Sequence, residues 1–103
     1  MPQVVRIRRQ GGVVVQDCDV YIGREVTMGG WNLPTSKWAN PYAVKVYGRD
    51  QCLRLYETYI RGRSDLIAAL PELKGKRLGC WCHPEPCHGD ILIRLYREFV
   101  GND

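Results

Sequence analysis

The sequence predicts a small α/β domain with a mixed, partly parallel sheet, about three flanking helices and an N-terminal hairpin over residues 3–16. Apolar and polar residues alternate near the N-terminus, and Gly11-Gly12 then separates two extended runs, as in a hairpin. Short apolar runs at residues 19–22 and 78–82 are interpreted as further strands. Between and after them, apolar residues recur at helical spacing. Strands that alternate with helices are typical of an α/β domain with a partly parallel sheet, and the hairpin adds an antiparallel edge.

The helices are predicted from this periodicity and from residues that begin or end a helix. Asp50 is expected to cap a helix that runs to about Arg61. Ser64 is expected to cap a shorter helix through Leu70, because the residue before Pro71 is pushed out of helical geometry. A last helix is expected after residue 89. Its apolar positions are Ile91, Leu92, Leu95, Tyr96 and Phe99.

The 103 residues are expected to form one domain, since a chain of this length supports a single modest core. An apolar content of 45% is ordinary for a globular protein. No apolar run approaches the ~20 residues needed to cross a membrane, and the N-terminus has no apolar signal-peptide core. We therefore expect no membrane contact and a location in the cytoplasm or nucleus, of the host cell if the protein is viral.

Positive charge is concentrated in the N-terminal half of the chain, although the net charge is only +4. Residues 1–49 contain seven Lys and Arg against three Asp and Glu, whereas residues 50–103 contain eight of each. One interpretation is an anionic ligand that binds to the N-terminal half. The other is an ordinary variation of surface charge.

The most informative segment is residues 77–90, here called the Cys/His stretch. It contains three of the five cysteines and both histidines, between the apolar run and the last helix. Without a secretion signal the cysteines are expected to be reduced, and an odd number cannot pair completely. Clustered thiols in a reducing compartment indicate metal binding or reactivity more than disulfide cross-links.

Zinc binding is the first interpretation of this stretch. Zn²⁺ prefers four thiolate or imidazole ligands in a tetrahedron. The candidate ligands are Cys80, Cys82, Cys87 and one histidine, His88 or His83. Cys80 and Cys82 would point to the same side of an extended strand, roughly 6.5–7 Å apart, which is wider than in common zinc motifs.

An activated thiol or anion site is the second interpretation. Cys87 precedes the predicted last helix, whose N-terminal amides and dipole favour negative charge and lower a thiol's pKa. His88 or His83 would act as a base, and Asp90 would orient a histidine or cap the helix. Gly89 would let a ligand approach the backbone. A purely structural role for the cysteines, as small buried hydrophobic residues, is the third interpretation.

Residues 23–42, here called the Trp-rich loop, have no regular period, and a loop of this length is usually functional or disordered. Trp31 and Trp38 argue against disorder. Aromatic faces stack on bases and cations contact phosphates, so Trp31 or Trp38 is a candidate for stacking. A core role for Trp38 is the alternative. Residues 44–47, after the loop, are predicted as a short extended piece.

The loop also offers polar ligand-binding candidates. Arg24 and Lys37 would hold a phosphate, Ser36 and Asn40 would contact a base or sugar, and Gly30 would form a tight turn. If strands 19–22 and 78–82 run parallel, the loops after them leave the same end of the sheet. Ligands of open α/β sheets bind at that carboxyl end. The sequence therefore predicts that the Trp-rich loop covers the Cys/His stretch.

The combined motifs resemble a domain family of unknown function that occurs in bacteriophages, bacteria and large DNA viruses. The resemblance covers about residues 19–99; the hairpin is less characteristic of the family. The motifs are Tyr21-Ile22-Gly23-Arg24, Gly30-Trp31, Ser36-Lys37-Trp38-Ala39-Asn40-Pro41, Gly48-Arg49, Leu73-Lys74-Gly75-Lys76, Gly79-Cys80-Trp81-Cys82 and Cys87-His88-Gly89-Asp90. By association the resemblance implies nucleotide or nucleic-acid transactions. A second bacterial family shares the Cys-His segment but has arginine where this chain has Gly89, so a role of that arginine does not transfer.

The function predicted from these features is binding of a nucleotide or nucleic acid at the Cys/His stretch and Trp-rich loop, with thiol- or metal-dependent chemistry left open. The alternative from another class is a non-enzymatic, zinc-stabilised module that recruits a host or viral protein. A plain DNA-binding protein is a third possibility, and it predicts affinity that falls steeply with added salt.

Overall fold

The computed structural model of the chain describes residues 2–10, 13–15, 18–26, 33–81 and 87–101. The strands in these ranges are β1 (Gln3–Arg6), β2 (Arg8–Gln10), β3 (Val13–Val15), β4 (Val20–Tyr21) and β5 (Arg77–Cys80). The helices are α1 (Val44–Tyr47), α2 (Arg49–Arg61), α3 (Ser64–Ala69) and α4 (His88–Phe99), with a 3₁₀ turn at Leu70–Leu73. None of the helices in the described part of the chain has the length and apolar character needed to cross a bilayer.

The main sheet has three parallel strands in the order β1-β5-β4. Leu78 of β5 is paired with Val4 of β1 on one side and with Val20 of β4 on the other. Strands β2 and β3 form a separate antiparallel ladder. The α/β fold with a partly parallel sheet, flanking helices and an N-terminal hairpin is therefore confirmed. The parallel pairing of the two strands that flank the predicted site is confirmed as well.

The hairpin differs from the prediction in extent. Its paired residues run from Arg8 to Val15, whereas the preceding strand β1 belongs to the main sheet. Ile7 separates the two strands: its side chain is 1% exposed, and its amide donates to the carbonyl of Cys80 at 3.0 Å. The antiparallel pairing therefore lies in the hairpin's own ladder and not at the edge of the parallel sheet.

Helices α2 and α4 cover the sheet and supply most of the core. The buried positions of α2 recur every four residues, at Cys52, Tyr56 and Ile60. Those of α4 are Gly89, Ile91, Leu92, Leu95 and Tyr96. They join Leu78 of β5 in one cluster of buried residues. Burial of an apolar side chain of this size contributes about 1.5–3 kcal/mol relative to exposure, so this cluster fixes β5 against α4.

The extended piece at residues 44–47 and the caps at Asp50 and Ser64 were predicted wrongly. Ser64 is the first helical residue of α3 and not its cap. Residues 44–47 form the helical turn α1, which Gly48 ends with a φ of 78°, and α2 begins at the next residue. Asp50 therefore lies in the first turn of α2 and does not cap the helix. Its negative charge there interacts favourably with the helix dipole. Pro71 lies within the 3₁₀ turn, at a position where its missing N–H is not required.

Candidate functional site

A cleft of about 420 Å³ opens at the carboxyl end of β4 and β5. Its lining residues are Tyr21, Gly23, Arg24, Val26, Asn40, Tyr42, Ala43, Val44, Lys45, Trp81 and His88. Residues of the Trp-rich loop thus share a cleft with residues of the Cys/His stretch. The predicted meeting of the two segments at this end of the sheet is confirmed for their described residues.

The cleft has a cationic wall. Its described lining includes Arg24 and Lys45 and contains no aspartate or glutamate. The Nε and Nη2 atoms of Arg24 donate to the carbonyl of Asn40, at 3.1 and 2.9 Å. Lys45 forms no ion pair with any described residue. Because neither charge is neutralised by a carboxylate in the described lining, the cleft favours an anion.

Aromatic rings form another part of the lining. Trp81 is 37% exposed, and its Nε1 donates to the hydroxyl of Tyr21 at 2.9 Å. The Tyr21 hydroxyl in turn donates to the carbonyl of Arg24 at 2.5 Å. Burial raises the pKa of Tyr21, so the hydroxyl stays protonated and able to donate. This chain of hydrogen bonds fixes the Trp81 ring relative to Arg24.

His88, the first residue of α4, is held by the end of β4. Its Nε2 lies 2.6 Å from the carbonyl of Ile22. A carbonyl only accepts, so Nε2 carries the hydrogen and Nδ1 is the acceptor nitrogen. Burial is the main reason that the pKa of His88 is lowered, and the charge of Arg24 lowers it further. The hydrogen bond with the Ile22 carbonyl raises the pKa but does not outweigh burial. The imidazole is therefore neutral at pH 7.

This lowered pKa predicts a pH-dependent stability. The pKa of folded His88 lies below its ordinary 6.5, so the unfolded chain takes up the proton first as the pH falls. The stability contribution is complete above about pH 6.5 and decreases as the pH falls toward the folded pKa. We expect the free energy of unfolding by urea to decrease from about pH 7.5 to about pH 5.5.

The control for this effect is His88→Gln, which keeps a side-chain donor near Ile22 but does not titrate. It should flatten the pH dependence between those two values. The carboxyls of Asp19, Asp65 and Glu98 have pKa values lowered by their arginine partners, so they titrate below this window. An unchanged pH dependence in His88→Gln would contradict the assignment.

Two cysteines meet directly beneath the cleft. The Sγ atoms of Cys80, at the end of β5, and Cys87, before α4, lie 2.9 Å apart, and each residue is 2% exposed. The hydrogen bond with Cys80 is the main reason that the pKa of Cys87 is raised, followed by burial. The amide of Gly89 donates to the Cys87 thiol at 3.3 Å and has the opposite, smaller effect. The lowered pKa expected for Cys87 from its place before a helix was therefore wrong.

Asp90 caps the helix, which is one of the two roles predicted for it. Its Oδ2 accepts from the backbone N–H of Cys87 at 3.0 Å. Together with the Cys87 side chain it forms a capping box at the start of α4. Gly89 also has a structural role, and the approach of a ligand to its backbone stays a prediction. A Cβ there would lie 2.8 Å from Cγ2 of Val4 and 3.0 Å from Cδ1 of Ile22.

Removing this cap predicts a measurable loss of stability. Asp90→Ala should lower the free energy of unfolding by about 0.5–2 kcal/mol, because the Cys87 amide loses its acceptor. Thermal unfolding would show this as a Tm lower by roughly 4–8 °C per kcal/mol. Asp90→Asn, which keeps a side-chain oxygen, should lose less. Equal losses in both variants would show that the hydrogen bond is not the cause.

Trp38 is part of the core. Its side chain is 2% exposed, and the hydroxyl of Tyr56 donates to its carbonyl at 2.6 Å. The Ser36 hydroxyl accepts from the Trp38 amide at 3.0 Å, so Ser36 stabilises the turn. Lys37 lies 5.5 Å from the Trp38 ring centroid and pairs with Glu72 at 2.7 Å. These three candidates thus have structural partners, and the core alternative describes Trp38.

Asn40 lines the cleft, and its side chain also organises the loop. Its Oδ1 accepts from the amide of Tyr42 at 2.9 Å, and its Nδ2 lies 3.1 Å from the thiol of Cys52. Gly30 and Trp31 lie outside the described residues, so their predicted roles stay predictions.

The candidate zinc ligands lie only partly within the described residues. No group of three His, Cys, Asp or Glu side chains suited to a metal occurs within the described residues. The predicted set therefore depends on Cys82, which lies outside them together with His83. Zinc binding and the interaction module that it would stabilise stay predictions.

Several cleft residues were absent from the predicted ligand-binding set, and Trp81 and Lys45 are the two that matter most for its chemistry. Trp81 directly follows β5 at the carboxyl end of the sheet, where ligands of α/β sheets bind. Lys45 was missed because residues 44–47 were interpreted as a strand. Its only signal in the sequence is a single cation between two valines.

The fold and cleft define a small α/β protein with a cationic, aromatic site at the carboxyl edge of a parallel sheet. Residues 5–98 match the family described as domain of unknown function DUF4326, and the chain belongs to that family. The match begins earlier than the resemblance expected from residue 19, so it includes most of the hairpin.

Two relatives come from viruses. The chain is 49% identical over 105 residues to an uncharacterised protein of Acanthamoeba polyphaga mimivirus, with 93% of this chain and 80% of the relative aligned. It is 31% identical over 70 residues to an uncharacterised 12.4 kDa protein of Enterobacteria phage T4, from the nrdA-td intergenic region. That alignment covers 64% of this chain and 65% of the relative. No solved structure gives a significant match.

Proposed function

We propose that the cleft binds a nucleotide, with its phosphate at the cationic wall and its base against the aromatic part of the lining. The observation that carries the proposal is the composition of the cleft: two cations, three exposed or partly exposed aromatic residues and no carboxylate among the described lining residues. A phosphate and a base are the two chemical groups that such a lining complements.

The phosphate site is built from Arg24 and Lys45. The hydrogen bonds from Arg24 to the Asn40 carbonyl orient the guanidinium before a ligand arrives. Lys45 belongs to α1, on the other side of Asn40 in the chain, so the two charges come from separate segments that meet at the cleft. Charge-assisted bonds from arginine or lysine to phosphate are about twice as strong as neutral hydrogen bonds.

The base site is built from Trp81, with Tyr21 and Tyr42 beside it. The rings of Trp81 and Tyr21 meet edge to face, with centroids 6.5 Å apart, and both rings line the cleft. A volume of about 420 Å³ is within the ~300–1,000 Å³ of small-molecule sites, which suits one nucleotide. The neutral His88 can accept a hydrogen bond from the base or sugar through Nδ1.

Catalysis by Cys87, His88 and Asp90 stays a prediction beside this binding function. The described geometry supports binding more directly. The Cys87 thiol is buried with a raised pKa, and the Asp90 carboxylate caps α4. His88 is the member of the three that lines the cleft.

The test is isothermal titration calorimetry of the purified chain with nucleoside monophosphates, the matching nucleosides and inorganic phosphate. We expect a monophosphate to bind more tightly than either its nucleoside or phosphate alone, because only it engages both halves of the cleft. Absence of binding by every monophosphate at millimolar concentrations would overturn the proposal. Equal affinity for the nucleoside and the monophosphate would show that the cationic wall does not bind the phosphate.

A further inference from the structure

Helix α1 carries apolar side chains that the core does not bury. None of its residues is buried. Val44, Val46 and Tyr47 are 43%, 72% and 46% exposed, which places three of the large exposed hydrophobic residues on one helical turn. Exposed apolar side chains that lie together commonly mark a binding surface.

This surface continues the cleft. Val44 and Lys45 line the cleft directly, and Tyr42, also in the lining, contacts the ring of Tyr47 edge to face at 5.7 Å between centroids. A ligand that leaves the cleft on this side therefore meets Val46 and Tyr47 next. The cation of this surface, Lys45, has no carboxylate partner among the described residues.

We infer that the ligand of the cleft is single-stranded nucleic acid, with one nucleotide in the cleft and the neighbouring nucleotide across α1, its base against Tyr47 and Val46. This inference rests on the proposed nucleotide site and names its substrate class. Alternation of aromatic faces with cations is the pattern by which proteins bind single strands. A protein partner would have to place a carboxylate opposite Lys45 to avoid burying an unpaired charge, whereas every nucleotide of a strand brings its own phosphate.

The dimensions agree with this assignment. Four helical residues extend about 6 Å along the axis, at 1.5 Å each. Stacked nucleotides of one strand are about 3.4 Å apart, so α1 has room for about one or two of them. A duplex is excluded as the ligand because its base faces are covered by neighbouring base pairs and cannot reach Trp81 or Tyr47.

The experiment compares thymidine monophosphate, its 5′-phosphorylated dinucleotide, an oligothymidylate and a duplex by calorimetry and competition. Stacking of one further base is worth about 1–3 kcal/mol, so we expect the dinucleotide to bind about 5- to 150-fold more tightly than the monophosphate. The duplex should bind more weakly than a single strand of the same length.

The variant Tyr47→Ala isolates the α1 surface. It should remove most of the gain from the second nucleotide and weaken the monophosphate far less, because among the described residues Tyr47 reaches the cleft only through the ring of Tyr42. Tyr47→Phe should retain the gain. Phe99→Ala is the matched control, because Phe99 is 48% exposed and lies outside the cleft. It should bind both ligands like the unmodified chain.

The outcomes separate this inference from the proposed function. Binding of the monophosphate without further gain for the dinucleotide or oligonucleotide would overturn the single-strand inference and leave the nucleotide site intact. Absence of binding by all ligands would overturn both. Self-association of the chain that Tyr47→Ala abolishes, seen by analytical ultracentrifugation, would identify α1 as a protein interface and overturn the inference.

Discussion

Replacing Arg24 and Lys45 together by glutamine should lower the affinity for a nucleoside monophosphate by about 100-fold or more. Each side chain is expected to donate a hydrogen bond to phosphate, and hydrogen bonds to charged groups contribute about 1.5–3 kcal/mol. The loss of both hydrogen bonds lowers the binding free energy by at least about 3 kcal/mol. Each 1.4 kcal/mol corresponds to a tenfold change in Kd. Affinity for the nucleoside should change little. Calorimetry on the double variant gives both values.

The matched control is the double variant Lys74→Gln and Arg97→Gln. Both residues are exposed cations outside the cleft, so this control removes the same net charge from another part of the surface. This control should lower the affinity only by weakening the long-range electrostatic attraction of the protein for an anion. Added salt should make that effect smaller, because it screens exposed charges. If both double variants weakened binding equally, the phosphate would not be held at the cationic wall.

Gly79→Ala should destabilise the fold by about 1–3 kcal/mol, because β5 has no room for a side chain at this position. A Cβ there would lie 2.6 Å from the Sγ of Cys18, 2.9 Å from its Cβ and 2.8 Å from Cδ1 of Ile7. Two neighbouring segments would have to move away from the central strand. Thermal unfolding should show a Tm lower by roughly 4–8 °C for each kcal/mol lost.

Gly62→Ala is the control for this substitution. Gly62 has a φ of −84° at the end of α2, and the nearest atom to an added Cβ is the carbonyl oxygen of Thr58 at 3.4 Å. Alanine at such a position is tolerated and restricts the unfolded chain, so stability should be unchanged or slightly higher. A Gly79→Ala variant as stable as Gly62→Ala would contradict the packing around β5.

The fold was largely predictable because its central elements have strong local signals. The apolar run before Trp81 and the helical spacing after Gly89 identify β5 and α4, and a general rule for parallel sheets then places the cleft. The pairing of β1 with β5 was not predictable. It joins residues more than 70 positions apart, and local patterns carry no information about such partners. Residues 44–47 were assigned wrongly because a segment of four residues is too short for its periodicity to distinguish a helical turn from a strand.

The site was predictable in its position and less so in its chemistry. Arg24, Asn40 and His88 lie at the cleft as expected from the two flanking segments. The raised pKa of Cys87 depends on the distance to Cys80, which only the folded chain determines. The burial of Trp38 likewise results from tertiary packing. From the sequence alone, an aromatic residue in a polar loop is a candidate both for stacking on a ligand and for the core.

An NMR titration of the ¹⁵N-labelled chain with thymidine monophosphate tests the nucleotide site most directly. The account predicts saturable shifts of the Trp81 indole N–H, assigned by Trp81→Phe, and of the backbone amides of Gly23 and Lys45. Amides outside the cleft, at Leu53 and Arg94 in the groove between α2 and α4, should not shift. No saturable shift at the cleft, or shifts confined to the face between α2 and α4, would contradict it.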